Sequence, residues 1–162
     1  MAAHSFHLTT SWRIEAGLDQ VCHVLTDAQR LPSWWGDVYL EVRQISEGDD
    51  RGVGSVVEVL TKGALPYTLR WQATLLTEDF PRRWEIGASG DLSGRGVWNL
   101  RPDGSVVHAH YDWRVDAEKP VLRVLSPLLK PLFAWNHNWA MAKGRAGIDV
   151  ELNRLFGKDL AD

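Results

Sequence analysis

Between residues 5 and 115 the chain alternates. Phe6, Leu8, Thr10, Trp12 and Ile14 share one side of a run that ends at Ala16-Gly17. A period of two sends successive side chains to opposite faces, so this run reads as a strand with one apolar face. The signature returns at 38–45, 55–61, 67–76, 83–88, 94–101 and 107–115. It is cleanest where Tyr67, Leu69, Trp71, Ala73 and Leu75 oppose Thr68, Arg70, Gln72 and Thr74. It is as clean where Val107, Ala109, Tyr111, Trp113 and Val115 oppose His108, His110, Asp112 and Arg114. Asp-Asp-Arg-Gly at 49–52 and Pro-Asp-Gly at 102–104 punctuate the series as turns. This is the pattern of an antiparallel sheet with one dry face and one wet face.

Two segments follow a different rhythm. After the first strand, Val21, Val24 and Leu25 recur at helical spacing, and Pro32 ends or bends that helix by Arg30-Leu31. One or two short helices fit there, closed by Trp34-Trp35-Gly36. Adjacent indoles diverge, so at most one of the two is expected to face the interior. The stretch 132–156 reads as a long helix. Leu132, Trp135, Trp139, Ala142, Ala146 and Val150 form its main apolar stripe, and Met141, Ile148, Leu152 and Leu155 a weaker one nearly opposite. The main stripe is expected to press on the sheet. The second leaves a face for a loop, a ligand or a partner, a second copy of the chain included. Pro127 and Pro131 are expected to separate a short helix or turn at 119–126 from the long helix, with Ser126 as its cap or a start near Leu132.

Composition then narrows the function classes. The length of 162 residues suits one domain spanning 1–162, with a core that needs no staples. The formal net charge of −3 argues against nucleic acid or an anionic membrane as the main partner. No run is apolar for 18 residues, and the first dozen residues lack a signal-peptide pattern. One cysteine, Cys22, excludes an intrachain disulfide and a cysteine-rich metal site, and suits a reducing cytoplasm. Nine tryptophans are a heavy load for this length. Trp71, Trp98, Tyr111, Trp113, Trp135 and Trp139 all fall on faces assigned to the interior. With Trp35 they form the candidate ligand-binding set, serving as a cavity wall or as a filled core.

The polar candidates are weaker. His108, His110 and Asp112 could share a metal, but no fourth ligand accompanies them and their face is the wet one, so no metal or other cofactor is expected. Glu58, in a strand apolar on both faces, is the first choice for a catalytic acid or base if one exists. His137 lies between two asparagines, off the main helical stripe. Gly-Asp-Leu-Ser-Gly-Arg-Gly at 90–96 has no following helix, so it is read as bends in a sheet and not as a phosphate loop.

LTDAQRLPSWWGDV (25–38), FPRRWEIGASGDLSGRGVWNL (80–100), YDW (111–113) and WNHNWAMAKGRAGI (135–148) occur here in an order and spacing that resemble the SRPBCC superfamily, the START-like or helix-grip proteins with polyketide cyclase/dehydratase-like members. The resemblance spans essentially the whole chain. It implies an α+β helix-grip fold: a curved antiparallel sheet of about seven strands wrapped around a long C-terminal helix, with one or two short helices between strands 1 and 2. It also implies a hydrophobic cavity between sheet and helix. Three functions remain open: binding of a small hydrophobic molecule, aromatic, polyketide-like or lipid-like; a cyclase/dehydratase-type enzyme on such a substrate; or partner binding through the outer face of the C-terminal helix.

Overall fold

The computed structural model describes residues 5–157. Seven strands are laid down in the order the alternation predicts: β1 (Ser5–Ile14), β2 (Tyr39–Ser46), β3 (Val56–Lys62), β4 (Thr68–Asp79), β5 (Arg83–Gly90), β6 (Leu92–Asp103) and β7 (Val106–Ala117). Helices α1 (Leu18–Thr26) and α2 (Leu31–Trp34), with a 3-10 turn between them, separate β1 from β2. Helix α3 (Pro120–Phe156) closes the chain. All strand pairs are antiparallel, in the order β1-β7-β6-β5-β4-β3-β2. Strands β2 to β7 therefore form a meander, and β1 returns to pair with β7 from Ser5↔Asp116 to Ile14↔Val107. Gly104, at φ +62, makes the β6–β7 turn that Pro-Asp-Gly announced. Edge strand β2 is irregular in register at two places.

The strand faces follow the alternation. Trp71, Trp98, Tyr111 and Trp113 are buried, while His110 and Arg114 are exposed and His108 and Asp112 half-exposed. The concave face, α1, α2 and α3 share one hydrophobic core. At one end of that core Glu151 is buried. It accepts hydrogen bonds from Arg154 at 2.7 and 2.9 Å and from Arg30 at 3.4 Å, which ties the 3-10 turn to α3.

Four expectations are corrected. Pro32 does not end a helix; it sits in the first turn of α2, where a missing N–H costs nothing. Pro127 and Pro131 do not break the C-terminal segment: α3 runs as one 37-residue helix through both. Both prolines are exposed, so the backbone carbonyls they leave unpaired can turn to water. With the backbone continuous there is no helix start at 126, and the Ser126 side chain lies outside what is described.

The third correction concerns which face of α3 is inner. Among the described side chains the buried positions are Leu122, Met141, Gly144, Ile148, Glu151 and Leu152. The stripe expected against the sheet faces outward: Trp135 is 52 % exposed, Val150 70 % and Leu132 39 %. The reason is volume. Where α3 crosses α2, Trp34 and Trp35 already occupy the interior, so the helix meets them there with small residues. In a fourth correction, Trp34 and Trp35 are both buried where at most one was expected to be, because they stack on each other at 5.4 Å and go in together. A Cβ at Gly144 would lie 2.5 Å from Cζ2 of the Trp35 ring, and one at Gly147 would overlap the carbonyl oxygen of Trp34. The Trp35 Nε1–H donates to the Ala140 carbonyl at 2.9 Å, sealing the contact.

Candidate functional site

A cavity of ≈ 420 Å³ lies between the concave sheet face and the inner side of α3. Its size is in the range of small-molecule sites. Alternation supplies the walls: every second residue of β3, β4, β5, β6 and β7 points inward. Trp71, Trp84, Trp98, Tyr111 and Trp113 line it from the sheet, and Trp35 and Tyr39 from the α2–β2 corner. The rings make a continuous surface. Tyr111 stacks on Trp98 at 4.5 Å and on Trp113 at 5.6 Å; Trp98 stacks in turn on Trp84 at 6.2 Å, and Trp113 tilts onto Trp71 at 5.6 Å. Gly96 makes room for this row, since a Cβ there would lie 2.6 Å from the Tyr111 hydroxyl.

Of the seven aromatic candidates, five line the cavity: Trp35, Trp71, Trp98, Tyr111 and Trp113. Trp135 and Trp139 do not. Trp135 lies on the outer face of α3; Trp139 packs half-buried beside the core with the Lys143 ammonium 5.3 Å from its ring. The face reversal of α3 accounts for both. Glu58 is also off the cavity. It is on the convex face, paired with Arg70 at 3.1 Å and Arg43 at 3.3 Å. The outer row behaves as a solvated face, with His7 on Asp112 at 2.9 Å and His108 on Asp103 at 3.2 Å. Among the described residues no three His, Cys, Asp or Glu side chains gather as a metal ion would need.

The polar groups that do line the cavity are few. The Thr61 hydroxyl accepts the Trp71 Nε1–H at 3.0 Å. The Asn136 Oδ1 accepts the Leu65 N–H at 3.1 Å and so ties the β3–β4 loop to α3. Burial pushes the Tyr39 phenol up to about 12, and pushes Tyr111 well above its ordinary value, helped by Tyr39 and Asp112. Both are O–H donors at neutral pH, and neither hydroxyl has a hydrogen-bond partner among the described residues. Sequence reasoning passed over Tyr39. It opens a strand whose alternation is too short to assign a face.

His137 belongs to this wall as well. Its Nε2 is 3.5 Å from the Thr10 hydroxyl, and burial pushes the imidazole down to about 4. The consequence for stability has a definite sign. In the unfolded chain this group takes up a proton near its ordinary value of 6.5, but in the folded chain only near 4. Its contribution is therefore intact above pH 6.5 and is lost as pH falls through that window, by about 3 kcal/mol in all. Urea unfolding between these pH values is expected to show a steeper loss for the wild type than for His137→Gln. Equal slopes would show that the folded chain does not resist this protonation.

Exposed lining residues mark two rims. Thr26, Gln29 and Gln44 form one, where the Gln29 amide donates to Gln44 Oε1 at 3.4 Å. Lys62 stands at the other, beside the β3–β4 loop and α3.

The comparisons agree with this architecture. The START superfamily protein from Mycobacterium smegmatis superposes with a TM-score of 0.74 at 10% identity, covering 92% of this chain and 98% of its own. The protein TTHA0849 from Thermus thermophilus gives 0.72 at 15%, covering 90% and 99%. The Zhui aromatase/cyclase from Streptomyces sp. R1128 gives 0.71 at 16%, covering 93% and 95%. At these identities the likeness shows the fold, which is the helix-grip fold of the SRPBCC superfamily. No curated protein matches the sequence. No helix among the described residues is long and apolar enough to cross a membrane. The family model described as polyketide cyclase / dehydrase and lipid transport matches residues 5–147, and the chain belongs to that family.

Proposed function

We propose that the protein binds a small, mainly apolar molecule carrying one or two hydrogen-bond acceptors, held between the aromatic sheet face and the inner side of α3. The observation that carries this reading is the pairing of an indole-lined cavity with two phenol donors on its wall, half-buried Tyr39 and buried Tyr111, whose hydroxyls bond to no described residue. The aromatic walls suit flat rings or a chain, and a carbonyl or ether oxygen would complete the phenols. Family membership supports an apolar ligand of polyketide or lipid type.

The test is a fluorescence and thermal-shift titration with naphthalene, 1-tetralone and 2-undecanone. At least one is expected to alter indole emission and raise the melting midpoint. Tyr111→Phe is expected to weaken the two ketones by about fivefold, the worth of one hydrogen bond, and to leave naphthalene unchanged. No response from the wild type to any of the three would end the binding reading.

His137 favours a second reading, an enzyme of the cyclase/dehydratase type. A neutral imidazole on an apolar wall can accept a hydrogen bond from a bound hydroxyl, and held near 4 it is a base only for an acidic substrate such as a 1,3-dicarbonyl carbon. Turnover of a bound ketone that His137→Gln abolishes without changing affinity would select it.

A further inference from the structure

The outer side of α3 carries an apolar stripe that the cavity does not use. Val121, Val124, Leu125, Leu128, Leu132 and Trp135 recur three or four residues apart over the first half of the helix. All are exposed; Leu128 reaches 82 % and Val124 77 %. Single exposed apolar residues are ordinary, but a contiguous row marks a contact surface.

Charge is distributed in the same segment in a way the whole-chain balance hides. From residue 119 to 148 there is no Asp or Glu, while Lys119, Arg123, Lys130, Lys143 and Arg145 all fall within it. Arg123 is offset by Glu118 at 3.5 Å, Lys143 by Asp37 at 3.7 Å and Arg145 by Asp149 at 2.7 Å. Lys119 and Lys130 have no acidic partner among the described residues: the first donates to the Thr68 carbonyl at 2.8 Å, and the second lies 5.7 Å from the Phe6 ring centre. The local charge of this segment therefore differs in sign from the whole-chain balance of −3.

The stripe also adjoins a rim of the cavity. The β3–β4 loop, Gly63-Ala64-Leu65-Pro66-Tyr67, has no charge, and Asn136 fastens it to α3. Tyr67 packs edge-on to Phe133 at 6.4 Å. Leu122, Phe133 and Tyr67 line the cavity while the stripe one side of them faces out.

We infer that the first half of α3, with the β3–β4 loop, docks on an anionic lipid bilayer. An apolar row, basic residues without acidic partners and a tryptophan at the end of the row are the composition of a helix that lies in the interface without crossing it. Docked this way, the Lys62 rim opens toward the lipid, where an apolar ligand is concentrated. The surface does not depend on the cavity having a ligand, so it is read separately.

The experiment is flotation of the purified protein with phosphatidylcholine vesicles, with and without phosphatidylserine. The wild type is expected to float with the anionic vesicles, less so at high salt, and weakly with neutral ones. Leu128→Glu and Val124→Glu are expected to reduce that binding at least about tenfold, because one charge opposes burial in the interface. Both side chains are exposed, so melting midpoints should stay at the wild-type value. Val150→Glu, equally exposed but in the second half of α3, is expected to bind like the wild type. Two results would overturn the inference. One is no flotation with either vesicle. The other is a wild-type dimer in vesicle-free ultracentrifugation that Leu128→Glu converts to monomer, which would give the face to a second copy of the chain.

Discussion

Gly147→Ala is expected to destabilise the protein by about 3 kcal/mol, the upper end of what overpacking costs. The direction is the informative part. In an exposed helix interior the same change stabilises by roughly 1 kcal/mol, because alanine restricts the unfolded chain and favours the helix. Here the new methyl group would meet the Trp34 carbonyl oxygen, which is backbone and cannot swing aside as a side chain does. Helix α3 would have to lift from α2, loosening Trp34 and Trp35 together. Urea denaturation of wild type and Gly147→Ala measures this directly. A variant as stable as the wild type would mean that α2 and α3 do not touch along this line.

The second large effect separates the inner tryptophans from the outer one. Trp98→Ala is expected to cost about 3 kcal/mol, the lower end for a packed aromatic, because part of the ring faces the cavity. Trp98 is 6 % exposed and meets three other rings, Trp12 at 5.4 Å, Trp84 at 6.2 Å and Tyr111 at 4.5 Å. Trp135→Ala is expected to change stability by less than about 0.5 kcal/mol, the usual range for a surface substitution. Denaturant midpoints for the two variants give the comparison. Similar losses at both positions would put the outward face of α3 back against the sheet.

The strands and their faces were legible because alternation leaves little freedom. A one-residue slip would send every indole of β4 and β7 into water, so Trp71 and Trp113 could be placed from pattern alone. The order of elements and the cavity walls contributed by the sheet followed from that. The helix was harder. Its two apolar stripes differ in bulk, and bulk pointed the wrong way, since Trp135 and Trp139 outweigh Met141 and Ile148. What decides the inner face is the space left by the sheet, and that space calls for Gly144 and Gly147. Local sequence holds no record of such a vacancy. The same limit hid His137, whose neighbours Asn136 and Asn138 read as a polar patch; only the approach of Thr10 from β1 shows that the ring is enclosed. The prolines misled for a related reason. Their cost to a helix is real, but Pro127 and Pro131 sit on an exposed side, where the freed carbonyls can turn to water.

The pairing of β1 with β7 sets an order of events. Every other strand pair joins neighbours in the chain through short connections, whereas β1 must wait for a partner about a hundred residues away. On a ribosome, residues 5–14 leave the exit tunnel before the rest of the sheet and wait longest for their partner. The meander from β2 to β7 can zip progressively during synthesis, while β1 stays an open strand with Phe6, Leu8, Trp12 and Ile14 along one side. For that interval it is the segment a chaperone would hold and the one most open to pairing with another nascent chain. Closure by β1 brings Thr10 to the wall where α3 places His137, so the site is complete only after this long-range pairing.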